Sequence, residues 1–140
     1  MELLTAILLA AVLGGAALLG YGRTLAEWRL NAAVRQVVMD LKATRIRAIA
    51  ENAGQRILFE VPSTEYQRQK QNASSDYVDV AAPIPLPDGV ETTDCTARGN
   101  AVTFHPRGHA STFGTITVRN AEGTERRIII DMAGRLRIER

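Results

Sequence analysis

The chain carries a single cysteine, Cys95, in 140 residues, so no intrachain disulfide can form and the core must hold the fold. Histidine is nearly as scarce, with only His105 and His109 present. Their i, i+4 spacing would set two imidazoles on one side of a helix. Pro106 and Gly108 lie between them and break any helix, and no third ligand is apparent, so no metal site is expected. There is no nucleophile elbow, phosphate loop or paired-acid motif, so the chain is not read as an enzyme and needs no cofactor. Charge is missing from Leu3 to Tyr21, where Thr5 is the one polar residue, and proline and glycine are missing from Arg23 to Ala53.

The uncharged run is long enough to span about 28 Å as a helix, close to the hydrocarbon thickness of a bilayer. A cleaved secretory signal would begin with positive charge, whereas the first charge here is Glu2. The run therefore reads as a membrane anchor. No linker follows it. Residues 24–54 continue as "TLAEWRLNAAVRQVVMDLKATRIRAIAENAG", rich in good helix formers. Leu30, Val34, Val37, Leu41 and Ala48 share one stripe at helical spacing, flanked by Val38 and Ile49. Gly54 supplies the expected stop. One helix over residues 2–53 would be about 78 Å long. Trp28, Ala32, Met39, Ala43, Ile46 and Ala50 form a second stripe roughly opposite the first. A helix covering one small domain needs one apolar face, so the second suggests contact with other subunits, although Ala-rich stretches look apolar on every side.

After Gly54 the pattern changes from helical to alternating. "QRILFEV", "YVDVA", "GVETTDC", "NAVTFHP", "GTITVRN", "RRIIIDM" and "GRLRIER" read as strands, and Ala121–Thr124 as a hairpin turn. Polar residues 63–76 are expected to form a loop, and the prolines of "PIPLPDG" exclude a central strand. The fold class is α+β: a long N-terminal helix, its first half transmembrane, packed on a C-terminal antiparallel sheet of five to seven strands. The expected segments are 1–22 (membrane half), 23–54 (amphipathic half) and 55–140 (β-rich head).

"MELLTAILLAAVLGG" resembles the N-terminal helix of type IV pilins and type II secretion pseudopilins, with Glu2 in the place of that superfamily's helix-opening glutamate. "VTFHPRGHASTFGTITVRN" and "RRIIIDMAGRLRI" resemble the GspH/FimT-type pseudopilins and minor pilins. The shared marks are Phe104-x-Pro106-x-Gly108, Gly114-Thr115-Ile116 and Gly134-Arg135-x-Arg137. The resemblance implies a pilin-like fold and a single-pass protein of the bacterial inner membrane with its head in the periplasm. It also implies assembly with other major and minor pilins or pseudopilins. Glu2 would pair inside the bilayer with the N-terminal amine of a neighbouring subunit. A lone acid there costs about 2.5–3.5 kcal/mol on insertion scales, so a cationic mate favours ordered assembly. Prepilin peptidase and N-methylation would act on a longer precursor, because the family's leader and first mature residues do not precede Glu2. The start is therefore expected to lie upstream of Met1.

Two functions follow. The first is a minor pseudopilin that helps initiate a type II secretion pseudopilus at its tip. The alternative is a FimT-like minor pilin of a type IV pilus that binds DNA during uptake through Gly-Arg-x-Arg. Residues 98–140 hold eight arginines against four acids. On the alternative reading Arg135 and Arg137 would contact phosphates from one side of a strand, with Arg126 and Arg127 adding charge.

Overall fold

A computed structural model of the chain describes the backbone of residues 2–139 and the side chains of Ile7 and residues 22–139. Helix α1 spans Glu2–Ala50. It ends earlier than Gly54, because Asn52 adopts the left-handed conformation (φ 48°). The Asn52 amide donates to the Ile49 carbonyl and the Ala53 amide to the Ala48 carbonyl, which closes the helix with an asparagine in the position usually given to glycine. A Cβ on Gly54 would stand 2.7 Å from Gln71 Oε1, the movable end of that side chain.

The strands are β1 (Gln55–Leu58), β2 (Glu65–Gln71), β3 (Tyr77–Asp79), β4 (Ile84–Pro85), β5 (Val90–Cys95), β6 (Ala101–Phe104), β7 (Gly114–Asn120), β8 (Glu125–Ile130) and β9 (Leu136–Glu139). They form two antiparallel sheets rather than one. The first has the order β3-β2-β1-β6, with β4 also paired to β2, and the second the order β5-β7-β8-β9. Residues 65–71, expected as loop, are strand β2. Their polarity misled because only Tyr66 of this strand enters the core, while the other side chains lie at or near the surface.

The first helix stripe is the core face. Leu30, Ala33, Val34, Val37, Leu41 and Ala48 are buried against Ile57, Phe59, Tyr66, Phe104, Ile116, Val118, Ile128 and Ile130. Val38 packs partly against this core, whereas Ile49 is exposed. Strand alternation explains the sheet side of the contact: Ile116 and Val118 of β7 and Ile128 and Ile130 of β8 face the core, while Arg119 and Arg127 are exposed on the other side. A polar seam borders the core. Asp40 accepts a hydrogen bond from the Tyr66 hydroxyl, and Gln36 Nε2 donates to the Tyr66 oxygen and to the Pro85 carbonyl. Burial and the Asp40 carboxylate push the Tyr66 hydroxyl well above its ordinary pKa.

Three turns share one construction. At His105–His109, Asn120–Thr124 and Asp131–Arg135 the first carbonyl accepts from the fourth residue's amide, and the first amide donates to the fifth residue's carbonyl. Gly108, Gly123 and Gly134 take the left-handed position at φ 81°, 82° and 76°.

Candidate assembly and binding surfaces

The second helix stripe is left uncovered. Trp28 is 71% exposed, Met39 66% and Ile46 66%, and Ala50 is exposed beside them. Ala32 and Ala43 are half-buried. Trp28, Ala32, Arg35, Gln36 and Met39 line a shallow notch on this face. Helical geometry explains the arrangement, because residues at this spacing lie on the side away from the sheets. The helix therefore has one apolar face buried in the head and another left free. Among the described residues no helix is long and apolar enough to cross a membrane. The run 1–22, expected as the membrane half, has only Ile7 and Gly22 among the described side chains. The side chain of Glu2 lies outside them.

The two C-terminal motifs come together on Arg45. Its Nε donates to the Gly108 carbonyl at 2.6 Å, Nη2 to Ala133 at 3.2 Å and Nη1 to Gly134 at 3.3 Å. One guanidinium thus ties the helix to the His105–His109 turn and to the β8–β9 turn. The Ala110 amide donates to the Met132 carbonyl and joins the two loops directly. The packing is tight at both turn glycines, against backbone at Gly134 and against a side-chain end at Gly108. A Cβ on Gly134 would lie 2.8 Å from the Gly108 carbonyl oxygen, and one on Gly108 would lie 2.8 Å from Ile49 Cδ1. The motif glycines are therefore positions of close approach between turns. The sequence had no signal for Arg45, whose partners are backbone carbonyls far along the chain.

The four candidate arginines are not brought to one place. Register pairs Arg127 with Glu139 and Ile129 with Arg137, so Arg127 and Arg137 share the outer face of β8 and β9. Arg126 pairs with buried Val118 and belongs to the opposite face. Arg135 precedes β9 in the turn, and its Nε stands 2.7 Å from Asp131 Oδ2. Arg137 is paired with Glu139 at 2.7 Å, and Arg119 with Glu91 at 2.7 Å. Arg127 takes part in none of the ion pairs among the described residues. The Arg135 amide, with its guanidinium, holds the Asp131 carboxyl below its ordinary pKa.

His105 and His109 stack with ring centroids 4.6 Å apart, and His105 Nε2 is 2.9 Å from Ser111 Oγ. Among the described residues no group of three or more His, Cys, Asp or Glu side chains could hold a metal ion. Cys95 is buried, and burial raises its thiol pKa.

The family described as Type II transport protein GspH matches residues 33–134. Solved structures share the fold. The minor pseudopilin EpsH from the type II secretion system of Vibrio cholerae aligns with a TM-score of 0.66 at 13% identity, covering 79% of this chain and 96% of that one. The type IV minor pilin FimU of Pseudomonas aeruginosa aligns with a TM-score of 0.61 at 18% identity, covering 79% of this chain and 88% of that one. No curated protein matches the sequence.

Proposed function

The chain belongs to the GspH family of type II transport proteins, and from that premise we propose that it is a minor pseudopilin of a type II secretion pseudopilus. It would be anchored in the inner membrane by residues 1–22, with residues 23–54 as the amphipathic half of the helix and 55–140 as a periplasmic head. It would help initiate assembly at the tip alongside other major and minor subunits. The observation that carries this reading is the helix with two apolar faces, one buried in its own head and one open along Trp28, Met39 and Ile46. Burying such a face against a neighbour's helix gains roughly 25 cal/mol per Å² of apolar surface. Glu2 would supply the membrane half of the contact through a neighbour's N-terminal amine.

The test is assembly in a secreting strain. Glu2→Ala in the full-length precursor, and separately Trp28→Ala with Met39→Ala, should reduce pseudopilus formation and secretion while the head stays folded. Normal secretion with both variants would refute the reading.

A second reading is a FimT-like minor pilin that binds DNA. It is favoured by Arg127 and Arg137 sharing an outward face with Arg127 unpaired. It is weakened by the acids already paired to Arg135 and Arg137. Gel retardation at low salt separates the two readings. Arg135→Gln with Arg137→Gln should weaken retention and flatten its salt dependence if DNA is the ligand. No retention of the unaltered protein would remove this reading.

A further inference from the structure

The β7–β8 turn meets the helix where the uncharged run ends. Arg23 and Glu27 of α1 and Glu122 and Thr124 of the turn line one surface hollow of about 290 Å³. A water's share of liquid volume is about 30 Å³, so the hollow suits a small molecule better than a bare ion. Arg23, Glu27 and Glu122 take part in none of the ion pairs among the described residues. Arg23 precedes Glu27 at i, i+4, the weaker order for a helical ion pair. The turn side of the hollow is held from below. Asn120, 4% exposed, accepts the Glu122 and Thr124 amides on Oδ1 at 3.1 and 2.9 Å, and its own amide donates to the Thr124 carbonyl at 3.0 Å. The backbone of Glu122 and Thr124 is thereby fixed beside the helix. A Cβ on Gly22 or on Gly123 would meet nothing within 4 Å, so the helix and the tip of the turn leave open space around the hollow.

Charge and position select the ligand. One guanidinium calls for an anion, and two carboxylates with a hydroxyl call for a cation that has several N–H donors. A phosphate ester carrying a primary amine offers both in one short molecule. A purely anionic ligand would satisfy Arg23 and be repelled by Glu27 and Glu122. A quaternary ammonium has no N–H to donate. With residues 1–22 across the bilayer, as proposed above, Arg23 stands at the hydrocarbon boundary. Glu27 lies about 6 Å beyond it along the helix, within a headgroup layer of roughly 5–7 Å.

We propose that this hollow binds the headgroup of a phosphatidylethanolamine in the surrounding membrane, with the phosphate on Arg23 and the ammonium shared by Glu27, Glu122 and the Thr124 hydroxyl. The contact ties the β7–β8 turn to the membrane surface and sets the depth of the helix. The two carboxylates make the site select a zwitterionic lipid with a primary amine, where an arginine alone would favour an anionic one. The proposal rests on the anchored reading above.

The test reconstitutes the full chain in vesicles of phosphatidylcholine, phosphatidylethanolamine and phosphatidylglycerol in equal parts, and scores flotation first. Native mass spectrometry then identifies the lipid that stays with the protein on release. Phosphatidylethanolamine is expected to exceed either other lipid about threefold. Glu27→Gln with Glu122→Gln should abolish that preference, and Arg23→Gln should lower the retained phosphatidylethanolamine by a similar factor. Equal retention of the three lipids, a preference for phosphatidylglycerol, or a preference for phosphatidylethanolamine that survives both variants would overturn the proposal. A parallel arm adds millimolar O-phosphoethanolamine to the chain in phosphatidylcholine vesicles. Binding of that compound without any lipid preference would assign the hollow to a soluble phosphate ester and overturn the lipid as its source. A chain that fails to float refutes the anchored reading and the lipid assignment with it, whereas one that floats without the preference refutes the assignment alone.

Discussion

Removing the Arg45 side chain should loosen the end of the head where both C-terminal motifs meet. Its shortest contact, 2.6 Å to the Gly108 carbonyl, is partly buried; those to Ala133 and Gly134, at 3.2 and 3.3 Å, are longer. A charge-assisted hydrogen bond contributes about 1.5–3 kcal/mol, and the long pair adds about 0.5 kcal/mol each. Water can re-satisfy part of what Arg45→Ala exposes, which leaves an expected loss of about 2–3 kcal/mol. For a domain of this size that corresponds to a fall in Tm of about 10 °C. Scanning calorimetry of the purified chain measures the fall, and amide exchange locates it: Ala110, which donates to Met132, and Gly134, which donates to Asp131, should exchange faster while the β7 amides stay protected. Arg45→Lys should recover less than half, because one ammonium cannot fork to two turns. A change below 2 °C with unaltered exchange at Ala110 would show that the turns hold each other without the guanidinium.

Gly108→Ala combines a positive φ with a 2.8 Å approach to Ile49 Cδ1 and should cost about 1–3 kcal/mol in urea unfolding; trimming the neighbour with Ile49→Ala should relieve the clash and leave only the backbone cost. Asp131 titrates below its ordinary 3.8 when folded, so its contribution is present above that value and is lost as pH falls through the lower folded value. Exchange at the Arg135 amide, followed by NMR down an acid titration, should rise in that window in the native protein and be insensitive to it in Asp131→Asn. The buried Cys95 thiol, with its raised pKa, should resist maleimide at neutral pH until the chain is unfolded by urea, as followed by mass spectrometry.

The helix and its buried stripe were legible in the sequence because a period of 3.6 over a stretch free of proline and glycine leaves few alternatives. Leu30, Val34, Val37, Leu41 and Ala48 all face the core. Strands β7 and β8 were legible for the same reason, through Ile116, Val118, Ile128 and Ile130. Strand β2 was hidden, because a strand that buries Tyr66 alone lacks the alternation that local reasoning depends on. The division into two sheets was hidden as well, since which strand neighbours which is a long-range choice. Pro106 and Gly108 excluded a helix at the two histidines, yet the stacking of the rings depends on the hairpin turn that brings residues 105 and 109 together. The motif glycines were visible while their reason was not. Gly134 sits against a carbonyl from the other turn, and Arg45 reaches across 63 to 89 positions of chain to bind groups that carry no side-chain identity. Arg135 and Arg137, expected on one side of a strand, line one surface hollow with Ile129 and Asp131, Arg135 from the turn just before β9 begins at Leu136.

Because α1 runs unbroken from Glu2 to Ala50 and shares the core with both sheets, the molecule has a mechanical character. A pull along the rod loads the interface from Leu30 to Ala48 in shear, so its contacts must yield together. A sideways pull on the sheets would peel them off one at a time. A load carried along the helix axis would therefore strain the molecule in its stronger direction.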